Sequence, residues 1–261
     1  EAENQAAALR AELDQRGLAP RRVHLGLPRT SATVKPIELP AVEGELDQMV
    51  RFELERHLPF PSEEAAFDFL PLPTRQATTG QSVLIAAAER RVVDGALRLA
   101  EEARLRPASL TVATHNLLAL VAGRRRDTVV WVHGVGADVE LLFLAGPALA
   151  FSRHLAAPDA EALRAEIQRC ASLLRWRGAE RLWVSGDVSP EVERALAEFG
   201  GAAEPPFTAR ARRWLDALGD APRGAGELAL ATAVGGRVRP LELLPPGLRP
   251  RRLSRAQRAT V

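Results

Sequence analysis

Residues 36–61, PIELPAVEGELDQMVRFELERHLPFP, constrain the fold most, because prolines fence both ends of an amphipathic run. Leu46, Met49, Val50, Leu54 and Leu58 fall at i, i+3, i+4, i+8 and i+12, one apolar stripe along a 3.6-residue helix. Glu43, Glu45 and Asp47 crowd its start, where the positive end of the helix dipole favours carboxylates. Pro59 and Pro61 end it, since a residue before proline is driven out of helical backbone. The pattern reads as a strand, a proline stop, a surface helix on an α/β core, and a second stop.

The flanking segments extend that reading. A helix pattern over residues 1–17 (Ala7, Leu9, Leu13) ends at Gly17, and RVHLGL (Arg22–Leu27) and ATVKPIEL (Ala32–Leu39) read as strands. Ala66–Leu72 and the buried run Ser82–Ala88 read as two more, and Val92–Arg106 as an amphipathic helix closed by Pro107. Leu110–Val121 has the pattern of another apolar helix. Thr128–Val132 and Val139–Leu144 read as a hairpin joined by HGVGAD (133–138), followed by a strand at Ala148–Arg153. Then come a helix over 159–177 with Asp159 as N-cap, a strand at Arg181–Ser185, and a helix opened by Ser189-Pro190. Two helix patterns, 208–218 and 226–234, complete it. The division is a leading helix (1–22), an α/β unit (23–107), a connecting helix (108–127), a second α/β domain (128–239) and a terminal segment (240–261).

Composition removes several classes of function. The lone cysteine, Cys170, excludes an internal disulfide framework and a clustered-cysteine zinc site. The net charge is +2, but RPRRLSRAQRATV (249–261) carries five arginines and no acid, which leaves residues 1–248 at −3. Nucleic-acid binders show a basic face on their folded part, so an acidic body argues against that class. No uninterrupted apolar run is long enough to span a bilayer. Glu1 already lies in a helix pattern, so the chain reads as a fragment. The basic tail fits a juxtamembrane cytoplasmic segment with a transmembrane helix beyond Val261.

Little in the sequence carries chemistry. The one glycine-rich loop between strands, HGVGAD, has Gly134 and Gly136 to admit a phosphate close to the backbone, or simply to make a tight hairpin turn. The five histidines (24, 57, 115, 133, 154) lack metal-ligand spacing and read as solvated or structural. Ser31, Ser82, Ser152 and Ser185 lack the context of a nucleophile elbow. PLELLPPGLRP (240–250) is proline-bounded and rich in leucine; Pro245 and Pro246 favour an extended form. Its leucines gain about 1.5–3 kcal/mol each on burial, so it is expected to dock.

Taken in order, ELP, ELERHLPFP, SVLIAAAERRVV, HGVGAD with SRHL, and LWVSG resemble the PilM-like and GspL-like proteins, actin-like cytoplasmic components of type IV pilus and type II secretion inner-membrane platforms. The resemblance implies an actin-like α/β fold of ribonuclease H-like units, here without its N-terminal strands. The unit at 23–107 corresponds to the inserted subdomain. Gly134-Val135-Gly136-Ala137 resembles the family's phosphate loop "DIGA" with glycine for aspartate. Ser185-Gly186-Asp187 resembles its adenosine loop "SGG" with aspartate for the second glycine. The implied nucleotide positions are therefore Gly134, Gly136, Ser185 and Gly186, in degenerate form. No cofactor is expected, and ATP only in a longer parent. The resemblance implies a non-enzymatic scaffold under the inner membrane that links platform proteins to the cytoplasmic assembly ATPase, with self-association open. The alternative is an ATP-binding protein of the sugar-kinase kind. Glu242-Leu243-Leu244-Pro245 resembles the "NLLP" peptide with which a membrane partner of PilM-like proteins occupies a groove. Leu241, Leu243, Leu244 and Pro245 are thus expected to dock near the 23–107 unit, in cis or from a neighbouring copy.

Overall fold

The proline-fenced helix forms where its stripe predicts and packs on a sheet. In this computed structural model, which describes residues 2–40, 46–73, 80–121, 127–200, 204–219, 221–235 and 239–250, α2 spans Leu46–Leu54. Val50 and Leu54 are fully buried against Ile37, Leu39, Val83 and Ile85, with Leu46, Met49 and Leu58 packed around them. Asp47 pairs with Arg51 one turn on, at 2.7 Å; Glu43 and Glu45 lie outside the described residues. The sheet beneath is antiparallel, order β2-β4-β3, from β2 (Thr33–Pro40), β3 (Ala65–Pro71) and β4 (Gly80–Glu89). On its other face Leu84, Ala86 and Ala88 join the central core, so β4 is apolar on both sides and reads as a continuous run.

Two of the expected helices are corrected. The helix expected over 92–106 is α3, Arg90–Glu102; the chain then turns through Arg104, whose φ is 58°. Arg106–Val112, which holds Pro107 and begins the helix expected at 110–121, is strand β5. It runs parallel beside β1 (Arg22–Leu27), from Arg22 opposite Arg106 to Leu27 opposite Val112. A short apolar run fits a buried strand as well as a helix, and the waiting edge of β1 decides. Only Ala113–Asn116 (α4) and a 3-10 turn at Leu117–Leu120 are helical in that stretch. Helix α1 (Ala2–Gln15) buries Ala6 against Ala100, Ala103 and Leu105. Among the described residues β1 and β5 form a sheet of two strands.

The second half is a four-stranded sheet, order β8-β7-β6-β9: β6 (Thr128–Val135), β7 (Asp138–Ala145), β8 (Ala148–Leu155) and β9 (Arg181–Gly186). HGVGAD is mostly strand; only Gly136 and Ala137 make the turn. One face packs on α5 (Ala160–Leu173) and α6 (Pro190–Gly200) through Val130, Val132, Leu141, Phe143, Leu163, Ile167 and Cys170. Asp159 caps α5 by accepting from Ala162 N at 2.7 Å. The other face carries Trp131, with Trp183 and Phe207 edge-on at 5.7 and 5.9 Å. It is covered by α7 (Ala209–Asp216) and α8 (Arg223–Val234). Through α8, which also touches β1 and α4, one core joins the two halves.

Candidate functional site

The two loops that resemble nucleotide loops meet, because β6 and β9 run parallel in register with His133 opposite Ser185 and Gly134 opposite Gly186. Their contact is backbone to backbone. A Cβ on Gly134 would stand 2.3 Å from Asp187 O, one on Gly186 2.1 Å from Gly134 O, and one on Gly224 1.9 Å from the same oxygen. No side chain fits at any of the three, and glycine at 134 is demanded by the approach of Asp187 and Val188, which follow β9. Asp187 N donates to Gly134 O at 2.9 Å.

Within this knot the acceptor is the chain's own carboxylate. Gly136 N and Gly224 N both donate to Asp187 Oδ2, at 3.2 and 3.1 Å. Gly136 has φ 62°, which aims its amide inward, and Gly224 lies in the first turn of α8, the positive end of its dipole. Such convergence of amides suits an anion, and Asp187 supplies one. Ser185 faces the other way. Its Oγ is buried, accepts from Trp131 Nε1 at 2.9 Å and lies 2.9 Å from His133 Nδ1.

Around the loops lies a polar row that the sequence did not suggest. Ser185, His133, Glu140 and His154 stand opposite one another across β9, β6, β7 and β8, so they share a face. Glu227 from α8 brings Oε2 to 3.3 Å from His133 Nδ1. Glu140 is 6% exposed, and burial pushes its carboxyl up to about 7, against the pull of His154, whose Nδ1 is 3.0 Å away. The clue would have been a lone acid inside an apolar run: Glu140 in VELLFLA, Glu227 in GAGELALATAV.

The leucine-rich terminal segment lies on its own chain. Leu241, Leu243 and Leu244 are buried at 0, 2 and 0% exposure in the central core. Glu242 bridges antiparallel to Thr111 of β5, and Leu243 N donates to Leu110 O at 2.7 Å. The Glu242 carboxylate accepts from Leu110 N and Leu244 N at 2.8 and 3.1 Å, while Glu242 N donates to Asp68 Oδ2 on β3 at 2.8 Å. Arg249 closes the clasp on Leu244 O and Glu242 O. Pro245 leads into a 3-10 turn at Pro246–Leu248. The basic tail beyond Pro250 lies outside the described residues.

Two other buried groups are shifted. Burial pushes the Cys170 thiol up to about 12 and takes His115, whose Nε2 meets Arg239 O, down to about 4. Among the described residues no group of three or more His, Cys, Asp or Glu could hold a metal ion, and no helix is long and apolar enough to cross a membrane.

The family described as type IV pilus assembly protein PilM matches residues 1–153. The chain belongs to that family. This PilM-family chain is also 34% identical over 173 residues to the type II secretion system protein L of Xanthomonas campestris pv. campestris, a match covering 60% of this chain and 44% of that protein. It thus spans less than half of that relative. Among solved structures it is similar to the PilM–PilN type IV pilus biogenesis complex, with TM-score 0.71 at 21% identity, over 92% of this chain and 86% of that one. It is also similar to the cytoplasmic domain of EpsL, an inner-membrane component of the Vibrio cholerae type II secretion system, with TM-score 0.57 at 15% identity over 94% and 85%. The fold is therefore actin-like α/β.

Proposed function

We propose that this chain is a non-enzymatic adaptor at the cytoplasmic face of an inner membrane, joining platform proteins of a type II secretion or type IV pilus machine to the cytoplasmic assembly ATPase. The observation that carries the non-enzymatic part is Asp187, whose carboxylate takes the amides of Gly136 and Gly224 that a phosphate would need. A second anion there meets like charge, and both of these amides already have an acceptor. The membrane-platform part is supported by the 34% identity to a type II secretion protein L and by the fold shared with a PilM–PilN complex. In this reading Leu241, Leu243, Leu244 and Pro245 act as an internal copy of a partner's peptide, kept in place by tethering.

The experiment has two arms. Two-hybrid and co-purification assays of the chain against the platform proteins and the assembly ATPase of its own organism are expected to give a specific pair in each class. Calorimetric titration with millimolar MgATP is expected to give no saturable heat, and a phosphate-release assay no turnover. The competing reading, ATP binding, is favoured by the convergence of amides and needs Asp187 to swing away. Saturable ATP binding with phosphate release would establish it and overturn the adaptor reading.

A further inference from the structure

Three of the buried polar atoms that lack a hydrogen-bond partner fall in one place: Nε2 of His133, Oε2 of Glu140 and Oε2 of Glu227. Glu140 Oε2 can therefore take a proton without breaking a hydrogen bond already made, and Glu227 Oε2 keeps its 3.3 Å approach to His133 Nδ1. The row they belong to abuts the contact between the two halves. Arg29, on the 3-10 turn Arg29–Ser31 that precedes β2, donates to Ser152 Oγ and Ser152 O of β8 at 3.0 and 3.2 Å. It also holds Ala32 O and Val34 O of its own half. Arg29 is thus a pin through the joint, and Glu140 is the acid that faces it.

We propose that the row Ser185–His133–Glu140–His154, with Glu227 and Arg29, is a proton-linked joint between the two halves, closed while Glu140 holds its proton and loosened when it loses it. The groups that face Glu140 set the sign. Arg29 and His154 favour its ionised form, whereas Asp138 opposes it, and burial outweighs them in favour of the neutral acid. His133 lies opposite it with Glu227 beside His133, and Asp187, Arg153 and Arg223 stand at the margins of the row. A joint that opens gives Glu140 water, and water favours the carboxylate, so opening and proton loss are linked. Solvent reaches the row at His154. That histidine is the partly exposed member of the row, and it lines a cleft of about 440 Å³ together with Arg29, Thr33, Phe60 and Arg153.

The test is hydrogen exchange at pH 6 and pH 8, corrected for intrinsic rates, in segments 29–34 and 148–155, with β4 as reference. The expected result is about a ten-fold rise in opening of the two joint segments over that interval, a far smaller change in β4, and no pH effect at the joint in Glu140→Gln. Equal change in β4, or an unchanged pH effect in Glu140→Gln, overturns the proposal. Should the variant not fold, carbon-detected titration of the Glu140 carboxyl in the wild-type chain decides. A midpoint near neutrality, shared by the Ser152 amide, supports the joint, and a midpoint in the ordinary glutamate range refutes it.

Discussion

Leucine 244 tests whether the terminal segment is part of the core or merely rests on it. Its side chain is 0% exposed and belongs to the cluster that holds Trp131, Trp183 and Leu110. Truncation to alanine loses the transfer free energy of the deleted methyls and adds a cavity term, together about 2–5 kcal/mol. Leu243→Ala, at 2% exposure, belongs in the same range. The two are neighbours and share partners, so their effects need not add. Their sum approaches the roughly 5–15 kcal/mol that holds a whole domain, so single variants are the informative ones. Leu248→Ala, in the same segment but 55% exposed, is the control, expected within about 0.5 kcal/mol of wild type. Urea unfolding followed by tryptophan fluorescence measures all three, since Trp131 and Trp183 report on this core. A loss below about 1 kcal/mol for Leu244→Ala, or an equal loss for Leu248→Ala, refutes the view that the segment is core.

Glu140→Gln reads out the buried acid: the folded chain holds its proton up to about 7, against an ordinary 4.5, so this group's stabilising contribution is complete below 4.5 and lost as pH rises through 7. At about 1.4 kcal/mol per pH unit the variant is expected to gain about 3 kcal/mol on wild type between pH 4.5 and 8, by denaturation across that range; parallel curves would contradict it. Asp187→Asn keeps the shape but weakens two charge-assisted hydrogen bonds, for an expected loss of about 1–3 kcal/mol in the same assay. Gly224→Ala pushes a methyl to 1.9 Å from Gly134 O and is expected to cost ~3 kcal/mol or more, seen as loss of a cooperative transition. Cys170, buried with its thiol raised to about 12, is expected to react with a thiol reagent at pH 8 only after denaturant is added.

Where one local signal dominates, the sequence was a good guide. The α2 stripe, the Asp159 cap and the strands either side of HGVGAD stand where their patterns put them. It misled where an apolar run carried no period. LTVATHNLLALV (110–121) reads as helix, yet its first three residues end a strand paired in parallel with β1, a partner some eighty residues away that no local pattern names. The loops were legible as glycine-rich, but the reason for the glycines was not. Gly134, Gly186 and Gly224 lie far apart in sequence and meet only through the register of β6 with β9 and the placement of α8. Asp187 departs from the motif by sequence, and the fold makes it the acceptor at the centre of the knot. Glu140 and Glu227 matter through burial, which a single sequence does not display.

The grip of Glu242 has a mechanical side. A tensile load entering the chain at Arg249 meets the Arg249 clasp and the proline-stiffened turn before it reaches the leucines. At Glu242 it divides: the carboxylate passes part of it to Leu110 on β5, and the amide passes part to Asp68 on β3. Because the segment lies alongside β5, Leu243 N–H and the Glu242 carboxylate are loaded in shear together rather than peeled apart singly. Force from that end is thus shared by two sheets, as a mooring line is made fast to two posts.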